Sequence, residues 1–168
     1  MSTADANDAP TVRVLATAAD TQALGVALAD LVRPGDLIVL SGPLGAGKTA
    51  LAKGIGDGLG VGTPVASPTF VIARSHPDGR VPLVHVDAYR LQSLAEVDDL
   101  DLDRTAEDAV TVVEWGVGLV EGMADARLEI RLSLLGDDDR RRAELVGHGG
   151  DWATRLTTLG GEDPRLGP

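Results

Sequence analysis

The spacing of apolar and polar residues predicts a strand and then a helix at the start of the chain. Residues 12–15 alternate as a half-buried strand does, and leucines in the segment 21–31 recur at the spacing of one helix face. Thr17 and Asp20 precede that segment and are candidate N-caps, because their side-chain oxygens can accept hydrogen bonds from the first unpaired backbone N–H groups. A β-α succession is therefore expected here.

Two segments predict strands that are covered on both faces. Residues 37–40 form an uninterrupted apolar run, which is typical of a parallel sheet with helices on its faces, and residues 110–113 are apolar except for one threonine. A glycine-rich loop follows the first run, and the pattern after it predicts a helix from about Lys48 to Leu59. Residues 93–108 are acidic with scattered leucines, which predicts one or two short surface helices.

Other segments predict antiparallel hairpins. Residues 69–74 and 81–86 flank a Pro-Asp-Gly turn signal, and residues 127–135 and 140–146 alternate apolar with charged positions on either side of a Gly-Asp-Asp-Asp turn. Residues 151–159 predict a short closing helix. Taken with the buried runs, these segments predict an α/β domain in which antiparallel strands extend a parallel core.

The composition limits the class of protein. The 168 residues suit one domain, which we expect at 11–159 between a disordered leader at 1–10 and a flexible tail at 160–168. The absence of cysteine excludes disulfide scaffolds and thiolate-ligated metal sites. The leader has neither the basic start nor the apolar run of a signal peptide, and no stretch is long enough to span a membrane. We therefore expect a cytoplasmic protein that makes no contact with a membrane.

Charge and aromatic content constrain the partners and the core. The chain has 15 basic and 26 acidic residues and a net charge of −11, which argues against a broad face for DNA or tRNA. Because so few residues are aromatic, the core is expected to consist of Val, Leu, Ile and Ala. The aromatic residues are Phe70, Tyr89, Trp115 and Trp152.

A complete G-x-x-x-x-G-K-[ST] sequence connects the first buried run to the helix after it. Its glycines allow successive backbone N–H groups to point inward and form an anion-binding nest at the helix N-terminus. In this pattern the lysine reaches the β- and γ-phosphates and the hydroxyl ligates Mg²⁺. The pattern predicts that a nucleoside triphosphate binds at Gly42, Pro43, Leu44, Gly45, Ala46, Gly47, Lys48 and Thr49. Since Asn7 is the only asparagine, the N-K-x-D base reader of guanine-specific proteins is absent, which favours ATP.

Two carboxylates and one hydroxyl are candidates for the chemistry at these phosphates. Asp87 and Glu114 each follow an apolar run, and ligand sites form where parallel strands end. Each is a candidate for organising the metal and the attacking water, although an isolated acidic residue is more often a cap or an ion-pair partner. Thr69, in Ser-Pro-Thr, stands where a hydroxyl would sense the γ-phosphate, and an ordinary proline turn fits equally well.

Four motifs in this order resemble the bacterial TsaE family, also called YjeE. Besides the glycine-rich loop they are Ser-Pro-Thr-Phe at 67–70, His-Val-Asp-Ala-Tyr-Arg-Leu at 85–91 and Val-Glu-Trp-Gly at 113–116. The loop alone is generic, whereas the combination is specific, and the resemblance extends over residues 17–146. It implies a three-layer α/β sandwich of the P-loop NTPase type, with a mixed, mainly parallel sheet and a C-terminal antiparallel hairpin.

The resemblance also implies an activity and its partners. It implies a small Mg²⁺-dependent ATPase that acts with a TsaD–TsaB heterodimer in threonylcarbamoyl modification of the tRNA adenosine beside the anticodon. The ATP cycle would reset that complex between turnovers, and hydrolysis by the isolated chain would be slow. Given the net charge of −11, contact with tRNA is expected only through the complex.

By resemblance, roles extend to particular residues. Thr49 and Glu114 would bind Mg²⁺, and the adenine contact is expected within residues 17–20. The catalytic candidates are Lys48, Thr69, Asp87 and Glu114. The nucleotide-binding candidates are Leu44, Gly45, Ala46, Gly47, Lys48, Thr49 and Trp115.

Two other classes of function remain open at this point. A small-molecule kinase would pass the γ-phosphoryl group to an acceptor instead of water, and it usually carries an arginine-rich lid. The only arginine cluster is Arg140, Arg141 and Arg142, which is more typical of a solvated turn than of a phosphate or tRNA contact. A nucleotide-sensing module would bind its partner without catalysis.

Overall fold

The computed structural model describes residues 10–62, 65, 73–87, 107–114, 126–136 and 138–159. In these residues seven strands and three helices follow one another in an α/β order. The elements are β1 (Thr11–Leu15), α1 (Ala18–Ala29), β2 (Leu37–Ser41), α2 (Lys48–Leu59), β3 (Ala73–His76), β4 (Leu83–Asp87), β5 (Val110–Glu114), β6 (Arg127–Leu134), β7 (Arg141–His148) and α3 (Trp152–Thr157).

The strands form one mixed sheet in the order β1-β7-β6-β2-β5-β4-β3. The four central strands β6, β2, β5 and β4 are parallel to one another. Antiparallel pairs complete both edges, with β6–β7 and β7–β1 on one side and β4–β3 on the other. The predicted mixed sheet and C-terminal hairpin are confirmed. The expectation of a mainly parallel sheet holds only for the centre, because the pairs toward both edges are antiparallel.

Helix α1 begins earlier than the leucine spacing predicted, because its cap lies further upstream. The Thr17 hydroxyl accepts from the backbone N–H of Asp20 at 3.2 Å, and the Asp20 carboxylate accepts from the backbone N–H of Thr17 at 3.1 Å. This reciprocal capping box satisfies two N–H groups at the start of the helix. Both cap candidates therefore act together, with Thr17 at the N-cap and Asp20 three residues inside.

The sheet is buried on both faces at its centre. Ile38 and Leu40 of β2 join a core cluster to which all three described helices contribute. Successive strand residues point to opposite faces, so Val39 lies on the other face, and it is also fully buried. This burial agrees with the uninterrupted apolar run. The described helices pack on one face of the sheet. A third layer on the other face, and with it the three-layer arrangement, therefore stays a prediction.

Trp152 corrects the expectation of a purely aliphatic core. Its side chain is fully buried at the start of α3, among aliphatic residues. Room for it depends on Gly147, where a Cβ would lie 2.5 Å from the Cβ of Trp152. The guanidinium of Arg155 lies 3.9 Å from the Trp152 ring centroid and donates to both Asp36 carboxylate oxygens, at 2.6 and 3.1 Å. This contact joins the end of the chain to the turn before β2.

Candidate functional site

The loop between β2 and α2 requires its glycines for shape. Gly42, Gly45 and Gly47 have φ angles of 142°, 81° and 104°, in the region where residues with a Cβ are strained. At Gly42 a Cβ would also lie 2.3 Å from the carbonyl oxygen of Leu132 in β6. The sequence pattern thus gives a sharply curved backbone that ends at the N-terminus of α2, as an anion-binding loop requires.

Lys48 extends its side chain back into this loop. Its Nζ donates to the carbonyl oxygens of Gly42 and Pro43 at 2.8 and 2.9 Å, and the residue is only 5% exposed. Burial lowers the pKa of the Lys48 ammonium, and the carboxylates of Glu114 and Asp87 oppose that shift. The ammonium is therefore held inside the curve of the loop, where a phosphate group of a ligand would meet it.

Thr49 and Glu114, which the sequence predicts as metal ligands, are in contact. The Thr49 hydroxyl donates to Glu114 Oε1 at 3.1 Å. Glu114 ends β5, which pairs in parallel with β2 directly before the loop, and it is 4% exposed. A hydroxyl and a carboxylate at one spot are hard oxygen donors of the kind that Mg²⁺ takes together with phosphate and water.

Asp87 ends β4 beside Glu114. The parallel register of β4 and β5 pairs these two residues, and the Asp87 charge acts on Lys48. Among the residues the structure describes, no group of three or more His, Asp or Glu side chains would hold a metal by itself. The oxygens of Thr49 and Glu114 therefore fit a metal that also binds the phosphates, and they do not form a separate metal centre.

The structure adds His85, to which the sequence analysis gave no role. Its side chain is fully buried, and its Nε2 lies 2.6 Å from Glu114 Oε2. The motif at residues 85–91 contained a signal for the direction of this side chain, because residues two apart on a strand point to the same face. His85 therefore had to point to the same side as Asp87, toward the loop.

The arginine cluster divides into different environments. Arg140 pairs with Asp138 at 2.8 Å and both side chains are exposed, as a solvated turn predicts, and Arg142 pairs with Glu144. Arg141 donates through Nη1 to the turn carbonyl oxygens of Asp138 and Arg140 at 3.1 Å, and its Nη2 also donates to the carbonyl oxygen of Gly45 in the loop at 3.4 Å. A cavity of about 200 Å³ lies at this point, lined by Ala18, Thr21, Gly45, Ala46, Gly47, Ala50, Asp139 and Arg141.

The remaining predicted site residues divide between the loop and the undescribed part of the chain. Leu44 is 89% exposed and Ala46 is buried, so the loop would meet a ligand through its backbone more than through these side chains. Thr69 and Trp115 lie outside the described residues, as do Phe70 and Tyr89. The roles suggested for Thr69 and Trp115 stay predictions.

The fold and the loop define an α/β protein whose glycine-rich turn joins a central parallel strand to a helix. The chain belongs to the TsaE family: the family model described as "Threonylcarbamoyl adenosine biosynthesis protein TsaE" matches residues 15–143. This match confirms the resemblance drawn from the four motifs.

Individual relatives agree with this assignment. A Streptomyces coelicolor protein named "tRNA threonylcarbamoyladenosine biosynthesis protein TsaE" is 56% identical over 138 residues, 78% of this chain and 93% of its own. A Bacillus subtilis protein of the same name is 41% identical over 122 residues, 72% of this chain and 76% of its own. The crystal structure of Bacillus subtilis YdiB matches with a TM-score of 0.74 at 31% identity, covering 89% of this chain and 93% of that chain. Within the described residues, no helix is both long and apolar enough to cross a membrane.

Proposed function

We propose that this protein binds and hydrolyses ATP with Mg²⁺, and that this ATPase cycle serves threonylcarbamoyl modification of tRNA. The observation that carries the proposal is the convergence of Lys48, Thr49 and Glu114 at one glycine-rich loop. A cation, a hydroxyl and a carboxylate meet there at a helix N-terminus. This is the set of groups that phosphoryl transfer uses.

The residues of the chain would divide the work between binding and charge stabilisation. The backbone N–H groups of the loop and the Lys48 ammonium would neutralise the β- and γ-phosphates. Thr49 and Glu114 would hold Mg²⁺, which supplies positive charge at the phosphate oxygens when bound. Asp87, beside Glu114 in the register, would orient the metal's water shell or the attacking water.

The adenosine of ATP would lie toward the cavity beside the loop. Ala18 lines that cavity and belongs to the segment 17–20, from which the adenine contact is expected. Asp139 of the turn between β6 and β7 and Arg141 at the start of β7 bring hydrogen-bonding groups to its lining.

The proposed partners are proteins of the TsaD and TsaB type, with tRNA reached through that complex. The support is family membership together with a net charge of −11, which disfavours direct binding to a polyanion. Such partners would also supply catalytic groups that the isolated chain lacks. Their absence would account for the slow hydrolysis expected of the isolated chain. A cytoplasmic location is part of the same proposal, since tRNA modification takes place there.

A pair of lysine variants tests the ATPase proposal. Lys48 and Lys53 are the only lysines, both lie on α2, and Lys53 is exposed. We expect Lys48→Ala to weaken ATP binding by about tenfold or more, because an ionic hydrogen bond contributes roughly 1.5–3 kcal/mol. Hydrolysis should be lost in the same variant. Lys53→Ala removes the same charge and should leave both unchanged.

The measurements are calorimetric titration with ATP and Mg²⁺, and release of inorganic phosphate over a long incubation. Equal binding and hydrolysis in the Lys48→Ala and Lys53→Ala proteins would contradict the proposal. Binding without phosphate release, in the presence of the partner proteins, would replace the ATPase with a nucleotide-sensing module. Appearance of a phosphorylated metabolite in place of free phosphate would replace it with a kinase.

A further inference from the structure

We infer that His85 is a positioning residue that fixes the orientation of the Glu114 carboxylate for metal binding. The inference rests on the proposed function, because it concerns how the Mg²⁺ ligand is held. It starts from the buried contact of 2.6 Å between His85 Nε2 and Glu114 Oε2.

The hydrogen bonds at Glu114 hold its carboxylate in one orientation. Oε1 accepts from the Thr49 hydroxyl at 3.1 Å, and Oε2 faces His85. A carboxylate that binds Mg²⁺ is ionised and only accepts hydrogen bonds, so we assign the proton of this contact to His85 Nε2. The final torsion of a glutamate is otherwise broad and roughly two-fold. The histidine donor thus fixes the plane of the carboxylate, with one oxygen directed at Thr49 and the other at His85.

The strands explain why this donor is rigid. His85 lies in β4, between β3 and β5, and its side chain is fully buried. It stands two residues before Asp87 on the same face of the strand, while Glu114 is opposite Asp87 in the register. Among the described residues the Nδ1 atom of His85 makes no hydrogen bond, so the contact at Nε2 is the polar contact that directs the ring, in addition to its packing. Outer partners of this kind orient metal ligands, and their loss typically costs 10–100-fold in metal affinity.

Two polar substitutions separate positioning from packing. Gln places an amide nitrogen near the position of His85 Nε2, whereas Asn places one near Nδ1, too short to reach Glu114. The Mg²⁺-dependent gain is the ratio of the ATP affinity in Mg²⁺ to the ATP affinity in EDTA. We expect His85→Asn to lower this gain by about tenfold. His85→Gln should retain most of that gain. In EDTA, ATP affinity should match the wild type in both variants, because the loop and Lys48 are intact.

The measurement is calorimetric titration of the full chain with ATP, in excess MgCl₂ and in EDTA, after thermal unfolding has shown that each variant is folded. His85→Asn should have no further effect in a Glu114→Ala background, since it acts through that carboxylate. The inference is overturned if His85→Asn keeps the full Mg²⁺-dependent gain, if Asn and Gln lower it equally, or if the effect adds to that of Glu114→Ala.

A wild-type measurement keeps the inference testable if neither variant folds. The imidazole Nε2–H of His85 should give a protected proton NMR signal in the presence of ATP and Mg²⁺, and the signal should be lost in Glu114→Ala. An unchanged signal in that variant would overturn the inference. If Mg²⁺ does not raise the ATP affinity of the wild type, the proposed function is wrong. This inference is then wrong as well, because it rests on that function. Failure of the inference alone leaves the wild-type gain intact.

Discussion

At the scale of single residues, Arg141 contacts the loop although it belongs to a charged turn. Its neighbour Arg140 is held by Asp138 in solvent, while Arg141 reaches the carbonyl oxygen of Gly45 and lines the cavity beside it. The difference follows from their positions, because Arg140 lies in the turn and β7 begins at Arg141. Two adjacent arginines with equal charge thus have different positions relative to the site.

This difference gives a prediction with a built-in control. Arg141→Ala should weaken ATP binding several-fold, up to about tenfold, because a charged hydrogen-bonding group at the cavity proposed for the adenosine is lost. Arg140→Ala changes the net charge equally and should leave ATP binding within twofold of the wild type, since exposed ion pairs contribute about 0–1 kcal/mol. Titration with ATP and Mg²⁺ at constant ionic strength checks both. Equal weakening would mean that Arg141 acts only through overall charge.

At the scale of the elements, glycines on α1 and α2 set how closely the two helices pack. A Cβ on Gly25 would lie 2.4 Å from the Leu51 carbonyl oxygen, and one on Gly54 would lie 2.1 Å from the Gln22 carbonyl oxygen. Both contacts are with backbone, which cannot move aside without shifting a helix. Because α2 carries Lys48 at its first residue, this packing also places the loop.

Because of this packing, the change in stability on replacing Gly54 with alanine should have the opposite sign to that expected from helix propensity. In an exposed helix, Gly→Ala stabilises by about 1 kcal/mol. Here Gly54→Ala should instead lower the free energy of unfolding by roughly 1–3 kcal/mol, because the added methyl group overpacks the interface. Lys53→Ala, one residue away and exposed, is the control and should change stability by less than about 0.5 kcal/mol. Urea unfolding followed by circular dichroism measures both, and a stabilised Gly54→Ala protein would contradict this packing.

The elements also show how much could be predicted from the sequence. Buried strands such as β2 and β5 were predicted because apolar runs are a local signal, and the glycine-rich loop because its pattern is complete. The capping box was only partly predicted, since the leucine spacing alone placed the start of α1 three residues too late. The contact of His85 with Glu114 was not predicted, because it spans 29 positions and depends on the order of β4 and β5 in the sheet.

At the scale of the whole molecule, stability should depend on pH through a buried histidine. His76 is 3% exposed, and its pKa lies below the usual 6.5 because of burial and then of the nearby His85, with Asp78 opposing. Below pH 6.5 the unfolded chain therefore binds a proton that the folded chain does not. The stabilising effect of neutral His76 is present above that pH and is lost as pH falls through the lowered pKa.

The expected result is a free energy of unfolding that falls as the pH is lowered through 6.5 and below it. In His76→Gln the fall should be smaller, because that position no longer titrates. Urea unfolding at several pH values gives the slope for each protein. Parallel slopes in the two proteins would show that His76 does not contribute to the pH dependence.

The central claim for the whole molecule is that its ATPase cycle serves tRNA modification, and reconstitution tests it most directly. TsaD, TsaB, tRNA, ATP, Mg²⁺ and a threonylcarbamoyl donor are combined with the wild-type chain, with Lys48→Ala or with no added chain, and modified tRNA is counted per complex over time. We predict many turnovers with the wild type, and at most one with Lys48→Ala or without the chain. Many turnovers in the Lys48→Ala reaction, or in the reaction without the chain, would contradict the account.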